Sequence, residues 1–365
     1  MKKLNQLNGR VVYVDLIRCV AMIGVILLHA AGRYPIDSSS LLQFDTFGTL
    51  SWVIVDFYQS IAIPFGVPLF LMLTGALLLQ PEKKDSLSIF FKKRWVRIGL
   101  PSLFWFIAYF IWDFSIQKIP FSLDAIIQGI LNGPYTQMWY LYVLVGLYLL
   151  TPLLRIFIAH ADQKIIKYFL IVWFFGVSVV PFFELFIPYH LNSNVFTLTG
   201  YVGFFVLGTY LLNANFRRLT SASFASLGVV LTVIATYILA ATIGGMELYF
   251  FQQYFSITVI FTAVMTFSFL LTINPPTLEK KTSFFSFHKL IQLISHNTLG
   301  IFFVHVMVIE STQRGYFGFA FNQELLNPIV EIPLLTAFVL FVSLGIILIL
   351  KKVPYLNKLI GVMGV

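Results

Sequence analysis

The sequence predicts an all-α protein, a polytopic transmembrane helix bundle of about ten spans with both termini in the cytoplasm. Three observations carry that reading. Hydrophobic residues make up 59% of the 365 and charged residues only 11%, with a mean hydropathy of +0.88, a balance outside the range of water-soluble domains. The apolar residues form runs of roughly twenty, the length of helix that crosses ~30 Å of hydrocarbon, and only short loops part them. Basic residues gather in alternate loops. With the N-terminus in the cytoplasm, all of the 24 Lys and Arg face that side except Arg33, Lys118 and Arg314 in outer loops and Arg18 inside a span. One domain is expected over 1–365, its core over about 11–350.

In chain order, the first span covers 11–31. Met1-Lys-Lys before an apolar stretch superficially resembles a signal peptide, but Asp15 and Arg18 interrupt its apolar core, so it reads as a retained helix. The second, 52–79, carries Pro64 and Pro68, which predict a kink. The third, 98–117, follows a dense basic flank, and the fourth, 138–158, opens on Trp139 and Tyr140, an aromatic pair suited to the membrane interface. The remaining runs lie at 167–188, 197–214, 224–245, 253–273, 298–314 and 329–350, of which 197–214 and 298–314 are the shortest. No internal repeat or low-complexity segment stands out. Cys19 is the single cysteine, so the chain forms no internal disulfide. The net charge of +9 is accounted for by cytoplasmic loops and needs no nucleic acid.

Within the first span Arg18 and His29 are eleven residues apart, close to three helical turns, which places them on one face about 16 Å apart. Asp15, three residues before Arg18, lies on nearly the same face. Ionisable groups facing lipid cost several kcal/mol, so these three belong to a polar interior. Two roles stay open for each. His29 is a proton-transfer group or a histidine bonded to a neighbouring helix. Asp15 and Arg18 act directly or lock the helix by a mutual ion pair. The second basic constellation is Lys92-Lys93-Arg94-Trp-Val-Arg97, where two guanidinium groups three residues apart suit a phosphate or diphosphate, or equally a flank for anionic lipid headgroups. His305 and Glu310 are five apart in the ninth span and diverge by well over 100° on a straight helix, although Glu310 can approach the His29 region from there. His160, His190, His288 and His296 fall in loops or at helix ends and receive no chemistry. No residues show metal-ligand spacing, and no glycine-rich phosphate loop or nucleophile elbow occurs.

The order of these motifs carries a resemblance. Asp15-x-x-Arg18-x10-His29 is followed by Pro68-x-Phe-x-Met-x-Thr-Gly75, Arg94-x-x-Arg97 and Trp139-Tyr-Leu. Then come Leu150-Thr-Pro-Leu-Leu-Arg155 and Leu299-Gly-Ile-Phe-Phe-Val-His305. The chain resembles the integral-membrane acyltransferase-3 proteins over about 11–350, and within them the WecH-type surface-polysaccharide O-acetyltransferases. The resemblance implies a multi-pass protein of the plasma (inner) membrane. It implies transfer of an acyl group from cytoplasmic acyl-CoA, with acetyl-CoA the expected donor and succinyl or another short acyl the alternative, to a hydroxyl of a cell-surface or lipid-linked glycan. It assigns function to Arg18, His29, Arg94 and Arg97, with His29 as general base. Asp15 and Glu310 complete the candidate catalytic set, and Lys93 joins Arg94 and Arg97 as candidate donor-binding residues. No metal is expected, and membrane lipids are the other partner. Asp56, Ser60 and Glu184, near the outer side of spans, contact the acceptor glycan or, the simpler expectation, meet interfacial water. A second reading from another class is an exporter or flippase of a polysaccharide or lipid-linked sugar, its path lined by the same polar face. Inverted internal symmetry would favour transport, and none is visible. A membrane scaffold or sensor is a third, for which the intramembrane Arg and His serve no purpose.

Overall fold

A computed structural model describes residues 12–34, 46–80, 82, 85–187, 189, 191, 200–243, 245–273, 282–320 and 327–361. Lys2, Lys3, Arg10, Lys83, Lys84, His190, Lys280 and Lys281, part of the charge and histidine reading above, lie outside them. Among the described residues every regular element is helical, and nine helices are long and apolar enough to cross a membrane. The sixth expected span is a shorter apolar helix, Gly200–Leu212, whose thirteen residues reach only about 20 Å.

Helix α1 (Val12–Ala31) lies at the centre. It packs on α2 (Thr46–Phe65), on α3 (Val67–Leu78) and on the later long helix Thr282–Gln313. Between α2 and α3 the chain breaks at Gly66, flanked by Pro64 and Pro68, as the two prolines predict. The break lies against α1, where a Cβ on Gly24 would come within 2.9 Å of the Gly66 backbone nitrogen. Without a hydrophobic driving force between helices in lipid, such close backbone approaches are what hold them together.

Ser86 caps α4 (Leu87–Arg94), which runs through a π-turn at Trp95–Gly99 into α5 (Leu100–Trp112), giving one 31-residue apolar rod ending at Gln117. The same device recurs later, where α8 (Gln163–Phe174) passes through a π-turn at Phe175–Val179 into α9 (Val180–Glu184). Each π-turn is closed by a bond spanning five residues, Leu100 N–H to Trp95 O and Val180 N–H to Phe175 O. In each a proline, Pro101 or Pro181, follows two residues after the wide turn. Proline has no N–H for the carbonyl four residues back, so the ladder widens just before it.

The loop expected over 118–137 contains a short helix, α6 (Leu123–Asn132), capped by Ser122 and amphipathic through Ile126, Ile127, Ile130 and Leu131. Helix α7 (Trp139–His160) then returns across the bundle. Helix α10 (Gly200–Leu212) crosses α3 at backbone contact, with Gly75 against the Phe205 carbonyl and Gly208 against the Met72 carbonyl. The bundle is completed by α11 (Arg218–Thr242), α12 (Ile257–Leu271), α13 (Thr282–Gln313) and α14 (Pro328–Leu350). Leu103, Ile107, Ile111, Leu149, Leu153 and Ile156 are exposed along two of the rods, the surface that lipid covers.

Because a Cβ at Gly75 or Gly208 runs into a main-chain carbonyl that no side-chain rotation can move, Gly75→Ala and Gly208→Ala each should cost about 2 kcal/mol or more. A fall in the thermal midpoint in detergent, read by the loss of monodisperse protein, checks this. An unchanged midpoint would show that the crossing gives way easily.

Candidate active site

Three arginines from two helices meet in one cavity of ≈260 Å³. Arg18 comes from α1, Arg94 from the end of α4 and Arg97 from within the π-turn, and Tyr140, Tyr148 and Thr74 are among the other lining residues. Arg94 and Arg97 are three residues apart, close to one helical turn, and both reach the cavity although Arg97 lies within the π-turn. The Arg94 guanidinium lies over the Tyr148 and Phe90 rings, 5.8 and 5.6 Å from their centres. Among the described residues no Asp or Glu lines the cavity. A concentration of guanidinium charge without carboxylates in the lining is suited to a multiply charged anion, which each fork can grip in bidentate fashion.

Phe302 and Tyr140, whose ring centres are 5.7 Å apart, also line the cavity. Phe302 in turn packs against His305, centre to centre 5.8 Å, and His305 packs against His29 at 5.1 Å. Of the expected Arg18–His29 face, only the Arg18 end is among the residues that line this cavity. Arg18 lines the anion cavity, and His29 lies three turns further along the helix against a second histidine. His305 is fully buried, and its Nδ1 lies 2.6 Å from the Phe302 carbonyl oxygen.

The other site candidates separate from this axis. Asp15 is buried and accepts a 2.6 Å hydrogen bond from Ser295 Oγ, which ties the start of α1 to α13. Asp15 meets Ser295 and, further along both helices, His29 meets His305, so α1 and α13 run side by side in the same direction. Lys93 bonds Asp85 at 3.0 Å on an exposed surface and does not line the cavity, so the cation cluster expected from the sequence divides. Glu310 is not brought to His29. It accepts hydrogen bonds from Trp112 Nε1 at 2.7 Å, from Gln117 Nε2 at 2.6 Å and from the Tyr135 hydroxyl, clamping α13 to the end of the long third rod. Arg314 donates to the Gln117 side-chain oxygen Oε1 of the same cluster. Glu310→Ala leaves three donors without their acceptor, so it should destabilise by about 2 kcal/mol or more without changing acyl-CoA affinity. Thermal midpoint and ligand affinity measured on one preparation check both halves. Unaltered stability with lost affinity would move Glu310 into the site.

Three further expectations are corrected. Asp56 and Ser60 do not meet interfacial water. Both are completely buried, with Gln252 Nε2 donating to Asp56 at 2.7 Å and Ser60 Oγ at 3.4 Å. The short helical turn before α12 covers them, and no helical periodicity announces that cover. Tyr140 is not part of an interfacial belt, because it is buried within the bundle. Trp139 packs on Tyr201 and Tyr254 at 5.7 and 5.6 Å, and Tyr140 is buried against Phe70 and Phe302. His288 and His296 lie within α13 rather than in a loop, since that helix begins well before the expected ninth span. Glu184 is half-buried and accepts from the Leu191 backbone N–H at 2.6 Å.

Sequence reasoning also missed Tyr148, Phe302 and the contact of His305 with His29. A signal for the tyrosines was present in the stripe Tyr140, Leu144, Tyr148, which recurs every fourth residue and lines the cavity. Comparison with protein-family models matches residues 11–348 to the acyltransferase domain Acyl_transf_3. No curated protein and no solved structure matches the chain.

Proposed function

The chain belongs to the acyltransferase-3 family and is a multi-pass membrane acyltransferase, and from that premise we propose that it moves a short acyl group, acetyl in the first instance, from cytoplasmic acyl-CoA to a hydroxyl of a cell-surface or lipid-linked glycan. The observation that carries the reading is the cavity in which Arg18, Arg94 and Arg97 converge. Coenzyme A carries several phosphates and is a cytoplasmic metabolite. The distribution of basic residues favours the same side for the end of the bundle where Arg94 and Arg97 lie. With the phosphates held by the three guanidinium groups, the pantetheine arm extends past Tyr140 and Phe302 toward His29.

Chemistry at that point requires a base. His29 takes the proton of the attacking hydroxyl as its oxygen bonds to the thioester carbonyl carbon. The C–S bond then breaks, and the coenzyme thiolate takes the proton back from His29. Donor and acceptor exchange one acyl group for one proton, and no other reagent is needed. A site walled by Phe302, Tyr140 and the packed faces of α1 and α13 keeps water from competing for the thioester.

The test is incubation of the purified protein with acetyl-CoA labelled in the acetyl group and with envelope glycan, following both label transfer and release of coenzyme thiol. Transfer that depends on glycan supports the reading. A folded protein that neither binds acyl-CoA nor transfers label overturns it and turns attention to glycan export.

A further inference from the structure

His305 is the group in this bundle whose surroundings the acyl-transfer scheme leaves unused. It lies on α13, completely buried, and its Nδ1 lies 2.6 Å from the carbonyl oxygen of Phe302, three residues back. A carbonyl only accepts, so Nδ1 carries the hydrogen, and in the neutral ring Nε2 is left with its lone pair. Nε2 is enclosed and has no hydrogen-bond partner among the described residues. A buried acceptor without a donor is costly, and in native proteins such a group calls for an explanation. The neighbouring ring is His29, 5.1 Å away between centres and inclined by 52°. At this separation a small turn of the His29 ring brings one nitrogen of each ring within reach of a hydrogen bond.

We propose that His305 is the positioning partner of His29, with its Nε2 accepting a hydrogen bond from one His29 nitrogen so that the other is presented, unprotonated, to the acceptor hydroxyl. The inference rests on the acyl-transfer reading and adds a residue to it. When His29 takes the hydroxyl proton it becomes an imidazolium with two N–H donors, and His305 Nε2 accepts from one of them. His305 itself gains and loses no proton, so the balance of the transfer is unchanged. The arrangement parallels the carboxylate–histidine pair of hydrolytic triads, with a neutral ring in place of the carboxylate. A neutral partner suits this location, since a second carboxylate inside the membrane would need a charge to pair with. Phe302 has two roles in the device. Its carbonyl fixes the His305 tautomer, and its ring packs on His305 while lining the arginine cavity.

The experiment compares His305→Phe, His305→Gln, His29→Ala and the double variant His29→Ala/His305→Phe, each checked for monodispersity and thermal midpoint. Readouts are the turnover rate of labelled acetyl transfer and the KM for acetyl-CoA. Phenylalanine keeps a flat ring and removes the acceptor. Glutamine places an amide oxygen near the position of Nε2. The expected result is a 10- to 100-fold fall in turnover for His305→Phe, the worth of a hydrogen bond to a charged group, with KM for acetyl-CoA unchanged. His305→Gln should recover a substantial part of that rate. The double variant should be no slower than His29→Ala alone, because a residue acting through His29 has nothing to position once His29 is gone. Normal turnover in a folded His305→Phe protein overturns the proposal, as does additive loss in the double variant. Absence of transfer by the wild-type protein counts instead against the acyl-transfer reading.

Discussion

His29→Ala is expected to lower acyl transfer by about 1,000-fold or more while the protein still inserts, purifies as a monodisperse species and binds acyl-CoA. Positioned general bases contribute roughly 10²–10⁴-fold, a range that includes this expectation. His29 is half-buried and lies beyond the cavity lined by the arginines, so its truncation removes no group in the cavity lining. The assay is transfer of labelled acetyl under saturating acetyl-CoA, together with a binding isotherm for the donor. Loss of turnover with an unchanged isotherm assigns His29 to the chemical step. Normal turnover in the variant removes it from the mechanism, and with it the role inferred for His305.

The second large effect concerns the donor. Arg94→Ala combined with Arg97→Ala should weaken acyl-CoA binding by roughly 100-fold or more, since each removes hydrogen bonds to charged groups worth about 1.5–3 kcal/mol. Binding of an acyl-pantetheine without the nucleotide phosphates should be nearly indifferent to the same substitutions. That contrast separates a phosphate site from a basic flank that merely holds lipid headgroups. Both residues lie at the exposed or half-exposed end of the third rod, with Lys93 and Asp85 beside them forming their own surface pair. The fold should therefore tolerate their loss, and thermal midpoints should stay close to wild type. Affinity for acyl-CoA that survives the double substitution returns the pair to the headgroup role. Raising the salt concentration should weaken donor binding by the wild-type protein more than by the double variant, which keeps only Arg18 of the three cavity arginines.

Much of the architecture is legible from residue order because the membrane imposes length and polarity on each crossing. The runs at 11–31, 224–245 and 329–350 correspond closely to α1, α11 and α14. Pro64 and Pro68 mark the break at Gly66 because proline removes a helix donor wherever it occurs. Departures cluster where neighbours decide. The run at 298–314 is the apolar half of a helix that starts at Thr282, since helical hydrogen bonding continues through Ser295, His296 and Asn297 once α1 offers Asp15 as a partner to Ser295. The run at 197–214 is trimmed to Gly200–Leu212, a helix held by close contact with α3 rather than by its length.

The candidate site divides in the same manner. Sequence by itself determined that Arg18 and His29 share a helix face, that Arg94 and Arg97 lie together at a basic helix end, and that these motifs belong to an acyltransferase domain. Those are statements about spacing along one chain segment, where helix geometry converts residue number directly into position. Only the tertiary structure decided that Arg18 joins Arg94 and Arg97 in one cavity and that Lys93 does not. The same holds for Glu310, which clamps the far end of the bundle, and for His305, which meets His29. Each of these joins residues tens to hundreds of positions apart. Their meeting depends on how far two rods slide and rotate against each other, which is set by glycine contacts, proline-induced π-turns and side-chain packing that no periodicity along a single helix encodes.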